Sequence, residues 1–166
     1  LDQIGGKGLF VKEIERQILD RTVDLGVHSM KDMPSEPAEG LCFTKTWPRA
    51  DRRDALILKR AGSLGELPHG AVLATGSKRR IYQLKALRPD LKFVGIRGNV
   101  DTRLKKMREG EIDGLVLAAA GLRRLGMEHR ITQYLDPQRE MVPACAQGAL
   151  ALEIRQKDEV LRKMLD

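Results

Sequence analysis

Between Ala71 and Ala120 short apolar runs alternate with helical segments, and nothing else in the 166 residues constrains the fold as strongly. Ala71 to Ala74, Lys92 to Ile96 and Leu115 to Ala120 read as strands. Thr75-Gly76-Ser77-Lys78-Arg79-Arg80 opens a helix that runs to Ala86 or Leu87, and a second helix follows the Arg97-Gly98-Asn99 turn from Val100 to Arg108. Short apolar strands separated by helices of about ten residues are the pattern of a parallel α/β layer. Its strands are covered on both faces, and its ligands sit beyond their carboxyl ends.

The first third holds a second organising stretch, Val23 to Asp32. Leu25 to Met30 reads as a buried strand that ends on an adjacent base and acid, Lys31 and Asp32. A carboxylate fixed there can stabilise a developing cation or accept a proton, and the neighbouring ammonium favours its ionised form. A surface ion pair is the plainer account of the same two residues. Before this stretch, the glycine-rich Ile4 to Phe10 feeds a helix from about Val11 to Leu19; after it come the proline turn Met33 to Pro37 and a strand at Leu41 to Thr46. A lobe boundary is placed in Thr46 to Asp54, ahead of the strand Ala55 to Leu58. Gln133 to Leu135 reads as a further strand, Pro137 to Pro143 as a second crossing, and Ala144 to Ile154 as a return to the first lobe. The expected architecture is a two-lobed α/β clamshell with its ligand in the cleft, each lobe a mixed, mostly parallel sheet flanked by helices. Residues 1–48 and 144–166 form one domain and 49–143 the other.

Composition narrows the function classes. No run approaches the ~18 apolar residues of a membrane span, and a cytoplasmic protein with no membrane partner is expected. Cys42 and Cys145 have no His or Cys at metal-ligand spacing, so no metal is expected. A formal charge of +7 attracts anions of any kind. Aromatics at 4% leave little for base stacking, and no nucleic-acid-binding signature is present, so no nucleic-acid partner is expected. The abrupt start at Leu1 and end at Asp166 suggest a fragment.

Arginines recur where the second lobe's strands end: Ser77 with Arg79 and Arg80, Arg97 with Arg103, and Arg124. In a parallel sheet these loops share one edge, and helices beginning at Ser77 and Asn99 would aim backbone N–H groups at the same place. Guanidinium forks bind carboxylates bidentately and stay charged near neutral pH. A lone arginine is ordinarily a solvated helix face, but five at successive strand ends point to a ligand bearing several carboxylates. The residues alone reach an anion-binding cleft with a carboxylate opposite, and stop short of a reaction.

Five motifs then carry a resemblance over the whole chain. G-G-K-G-L-F at Gly5 to Phe10, H-S-M-K-D at His28 to Asp32, R-G-N-V-x-T-R at Arg97 to Arg103, A-A-G-L-x-R-L-G at Ala119 to Gly126 and Q-G-A at Gln147 to Ala149 resemble, in order and spacing, the porphobilinogen deaminase (hydroxymethylbilane synthase) family. The resemblance implies a tetrapyrrole-pathway transferase that condenses four porphobilinogen units into hydroxymethylbilane and releases ammonia. It also implies a three-domain protein, two of whose domains have the type II periplasmic-binding-protein fold. Asp32 would be the catalytic aspartate, a buried carboxylate beside forming positive charge. Ser29, Lys31, Thr75, Ser77, Arg79, Arg80, Arg97, Arg103 and Arg124 would hold acetate and propionate side chains of a dipyrromethane cofactor and the growing chain, with Lys7 in a mobile loop nearby.

Three departures accompany it. The family's cofactor is thioether-linked to a cysteine in a glycine-rich loop of the third domain, and neither Cys42 nor Cys145 matches it. The family's first strand, with its Arg and Ser ligands, is absent, and Gln3 stands where many members have a basic residue. The 166 residues alone are therefore expected to be inactive, which a turnover assay with porphobilinogen tests. The alternative reading is a non-enzymatic anion-binding clamshell of the solute-binding or regulator type. His28 reads as a hydrogen-bonded structural histidine.

Overall fold

The computed structural model describes residues 7–45 and 47–166, with side chains from Val11 onward. The chain forms two compact units, residues 1–50 with 148–166 and residues 51–147. The boundaries expected from the sequence, 48/49 and 143/144, lie a few residues from these. The two crossing segments are tied at their unit 1 ends, where the Ala50 N–H donates to the Gly148 carbonyl at 3.0 Å.

Unit 1 contains α1 (Lys7–Leu19), β1 (Gly26–Ser29), β2 (Leu41–Phe43), β8 (Leu150–Arg155) and α5 (Glu159–Leu165), with the sheet order β1-β8-β2. Both ladders are antiparallel, Gly26 opposite Glu153 and Leu41 opposite Arg155. This corrects the expectation of a mostly parallel sheet in this lobe. It also changes the reading of β1, which is not buried on both faces: Gly26 and His28 are buried while Val27 between them is 56% exposed. A half-covered antiparallel strand shows that alternation. α1 packs over β1 and β8 with Ile18 fully buried. Gly26 makes the approach possible, since a Cβ there would lie 3.0 Å from Ile14 Cγ2 and 3.1 Å from Ile18 Cδ1.

Unit 2 is built on a five-stranded sheet, order β5-β4-β6-β3-β7, from β3 (Asp54–Leu58), β4 (Val72–Ala74), β5 (Lys92–Val94), β6 (Gly114–Ala118) and β7 (Gln133–Tyr134). β4 runs parallel to β5 and β6, while β3 is antiparallel to β6 and β7. Alternate strand residues feed two cores. Leu56, Leu73 and Val116 pack with Leu84 of α2 (Lys78–Leu87), whereas Ala55, Ile57, Ala74, Leu115 and Leu117 pack with Leu104 and Met107 of α3 (Val100–Glu109). The two helices therefore cover opposite faces of the sheet. That double covering is why the strands read as unbroken apolar runs. One boundary moves: β6 stops at Ala118, and Ala119–Arg124 forms α4, with Ala119, Ala120 and Leu122 buried. Two alanines after the strand carry high helix propensity, and an apolar run alone does not separate the two states. Among the described residues, no helix is long and apolar enough to cross a membrane.

Candidate functional site

In unit 1, β1 leads directly into a single 3-10 turn, Met30–Asp32, closed by the Met33 N–H on the Met30 carbonyl at 3.1 Å. The Met30 N–H donates to the Ala149 carbonyl at 3.1 Å, so the last residue of the Gln147-Gly148-Ala149 motif backs this turn. Ser29 and Lys31 are half-buried. Asp32 is exposed, which corrects the expectation of a buried carboxylate. The turn carries it off the end of the strand, away from the packed layer. Beneath the turn, His28 Nε2 lies 3.1 Å from Glu153 Oε2, both side chains buried. Burial, with the charge of Glu15 adding to it, pushes the Glu153 carboxyl up to about 7. Burial also pushes the His28 imidazole down, against a smaller opposite pull from Glu15. Gly5 and Gly6 and the Lys7 side chain lie outside the described residues.

In unit 2 the loops after β4 and β5 leave toward helices on opposite faces, the divergence at which open α/β sheets take their ligands. The first loop is pinned by buried Thr75, whose N–H donates to Val94 at 3.0 Å and whose Oγ1 accepts from the Ser77 N–H at 3.2 Å. Ser77 stands at the N-cap of α2 without a side-chain cap bond. The second loop turns at Gly98, φ +114°, where a Cβ would meet Thr102 Cγ2 at 2.8 Å. The Gly98 carbonyl accepts from Arg103 Nε at 2.8 Å, the Arg97 carbonyl accepts from Lys106 Nζ at 3.2 Å, and Asn99 Oδ1 caps α3 by accepting from the Thr102 N–H at 2.9 Å. Asn99→Ala is expected to lower stability by about 1 kcal/mol, the usual loss for an N-cap, in a urea titration.

Arg79 and Arg80 meet at Asp54, a carboxylate outside the expected site residues, which is fully buried at the start of β3. Arg80 Nε donates to Asp54 Oδ1 at 2.8 Å, its Nη2 lies 2.6 Å from the same oxygen, and its Nη1 donates to the Val116 carbonyl at 2.8 Å. Arg79 Nη1 reaches Asp54 Oδ2 at 2.8 Å and donates to the Val142 carbonyl. Gln147, 1% exposed, donates through Nε2 to Asp54 Oδ1 at 3.1 Å and to the Arg52 carbonyl at 2.9 Å. Burial pushes the Asp54 carboxyl up, but Arg79, Arg80 and Gln147 together hold it below the usual carboxylate range. Arg80 is pushed down by burial, Asp54 opposes that, and the charges of Arg79 and Arg103 lower it further.

Arg80, expected among the ligand-holding arginines, has Nε, Nη1 and Nη2 all engaged inside the protein by Asp54 and the Val116 carbonyl. Thr75, Ser77 and Arg97 lie in the two loops, and Arg79 and Arg103 in the first turns of the helices that follow them, with Arg97 exposed and Arg103 half-buried. Arg124 lies exposed in the last turn of α4 rather than in a strand-end loop. An exposed cationic edge held by internal carbonyl and carboxylate contacts can bind a multivalent carboxylate.

Fold and edge together define the class, an α/β protein of the type II periplasmic-binding-protein kind. Solved structures of that kind are similar at the level of the fold. A polar amino acid uptake transporter substrate-binding protein from Streptococcus thermophilus matches with a TM-score of 0.54 at 20% identity, over 92% of this chain and 59% of that one. The periplasmic VFT2 domain of BvgS from Bordetella pertussis matches with a TM-score of 0.52 at 17% identity, over 93% and 64%. Residues 1–163 match the family described as "Porphobilinogen deaminase, dipyromethane cofactor binding domain", and the chain belongs to that family. Curated relatives named porphobilinogen deaminase from Lachnospira eligens and Clostridioides difficile are 57% and 53% identical over the full chain. The chain spans 56% and 55% of their lengths.

Proposed function

We propose that this chain supplies the substrate- and cofactor-holding part of a porphobilinogen deaminase, a cytoplasmic monomeric transferase that condenses four porphobilinogen units into hydroxymethylbilane with release of ammonia. The observation that carries this is the cationic edge of unit 2, in a chain belonging to this family. Porphobilinogen carries acetate and propionate side chains, and the dipyrromethane group of the family carries the same kind. Arg79, Arg97 and Arg103 suit these carboxylates as charge-assisted donors, with Thr75 and Ser77 shaping the loop beside them. When bound, the dipyrromethane supplies the pyrrole from which the chain of rings grows. No attachment role is proposed for Cys42, whose Sγ lies 2.9 Å from Arg162 Nη2, or for Cys145.

Asp32 takes the chemical role. Loss of ammonia leaves positive charge on a pyrrole-derived carbon and nitrogen, and a carboxylate beside it stabilises that charge and can accept the pyrrole N–H proton. Ser29 and Lys31 flank it as ligand-holding groups. Asp32→Asn in the full-length protein is expected to lower kcat about 10²-fold while leaving the affinity for porphobilinogen within threefold. Unchanged turnover would favour a binding module over an enzyme.

A further inference from the structure

Asp54 stands where an antiparallel strand begins beside the ends of parallel ones. Because β3 runs opposite to β6, with Asp54 in register with Ala118, its first residue lies level with the carboxyl end of β6. The Asp54 side chain is 0% exposed and holds Arg80, 8% exposed, on one oxygen and Arg79, 26% exposed, on the other. The Asp54–Arg80 pair is neutral as a unit, so Arg79 adds one net positive charge. Arg79 is gripped by a single nitrogen: Nη1 meets both Asp54 Oδ2 and the Val142 carbonyl, while Nε and Nη2 have no partner among the described residues. A guanidinium held at one Nη keeps its Nε/Nη2 edge in the geometry that takes a carboxylate bidentately, with less rotamer freedom to lose on binding.

We propose that Asp54 is a positioning residue of the anion site: it acts through Arg79, orienting that fork toward a ligand carboxylate, and it screens Arg79 from Arg80. The proposal rests on the reading of the cationic edge given above. Asp54→Asn keeps the size of the side chain but loses the charge that fixes Arg79.

A double-mutant cycle tests it, with porphobilinogen binding measured by calorimetry alongside thermal unfolding. Asp54→Asn alone is expected to raise Kd about tenfold, the loss of one well-oriented charge-assisted contact. In an Arg79→Gln background the same change is expected to leave Kd within twofold, although Tm still falls because Arg80 has lost its partner. An equal Kd effect in both backgrounds, or none in either, overturns the positioning role. Unchanged binding by Arg79→Gln alone, or no binding by the unmodified protein, overturns instead the reading of the edge as an anion site. Should Asp54→Asn not fold, the cycle is run with Arg80→Met added, which removes the uncompensated buried charge. The tenfold effect of Asp54→Asn, present with Arg79 and absent with Arg79→Gln, is expected to persist there, and its disappearance counts against the proposal.

Discussion

Arg80→Met is expected to lower the unfolding free energy by about 3 to 5 kcal/mol, the cost of removing one member of a buried ion pair. The change strips three contacts from a buried side chain: two to Asp54 and one to the Val116 carbonyl. Methionine fills much of the volume, so the loss is electrostatic rather than a cavity effect. Asp54 keeps Arg79 and Gln147, which places the result toward the lower end. The sign with pH follows from the depressed carboxyl of Asp54. Its ionised form is favoured in the native state, so the pair's contribution is present above the ordinary value of 3.8 and fades as pH falls through the lower native value. The gap between unmodified protein and variant should be full from pH 5 to 7 and narrow in stronger acid. Urea titrations at pH 7 and pH 3 measure it. A loss below ~1 kcal/mol at pH 7, the range of an exposed pair, would mean that Arg80 is not a buried charge in the folded protein.

Glu153→Gln acts in the opposite direction and raises stability at alkaline pH. The native carboxyl titrates at about 7 against an ordinary 4.5, because burial disfavours its charge and Glu15 repels it. Between those values the native state binds more protons than the unfolded chain. Stability from this residue is therefore complete below 4.5 and is lost as pH rises through about 7, a total on the order of 3 kcal/mol. Glutamine mimics the protonated acid and can keep the contact with His28. The variant should match the unmodified protein near pH 4.5 and exceed it by up to roughly 3 kcal/mol at pH 8. His28 is lowered by burial, so its own contribution is lost only as pH falls below about 6.5, and the comparison at pH 8 lies above that range. Lower stability of the variant at pH 8 would show instead that His28 and Glu153 persist as a charged pair.

Both predictions turn on carboxylates that the linear sequence conceals, and for the same reason. Asp54 sits in Ala50-Asp51-Arg52-Arg53-Asp54, a charged run that reads as a surface connection, and Glu153 interrupts the apolar Ala149 to Ile154. A lone acid at the edge of an apolar run is the available signal. What it pairs with depends on strands far away in the chain: His28 on β1, and Arg80 on the helix that follows β4.

Other features were legible because they depend on neighbours in sequence. The run of apolar strands and helices from Ala71 to Ala118 and the helix starts after Ser77 and Asn99 follow from periodicity, capping and turn chemistry. The Ala119-Ala120 pair was harder, since a strand and a buried helix show the same short apolar run. Asp32 is legible as an acid at the end of a strand, and a surface ion pair is one account of it, but the one-turn helix after Ser29 leaves little periodic trace.

By itself, then, the sequence determined the α/β class, the positions of the arginines and the family to which the chain belongs, all properties of local pattern and spacing. Only the tertiary structure decided which arginine is spent inside the protein and which stands at the edge. Strand direction brings Asp54 level with the ends of the parallel strands, and burial of that single carboxylate commits Arg80 to it while leaving Arg79 held at one Nη. Guanidinium groups adjacent in sequence are chemically identical, so the low dielectric around one buried charge is what separates their roles.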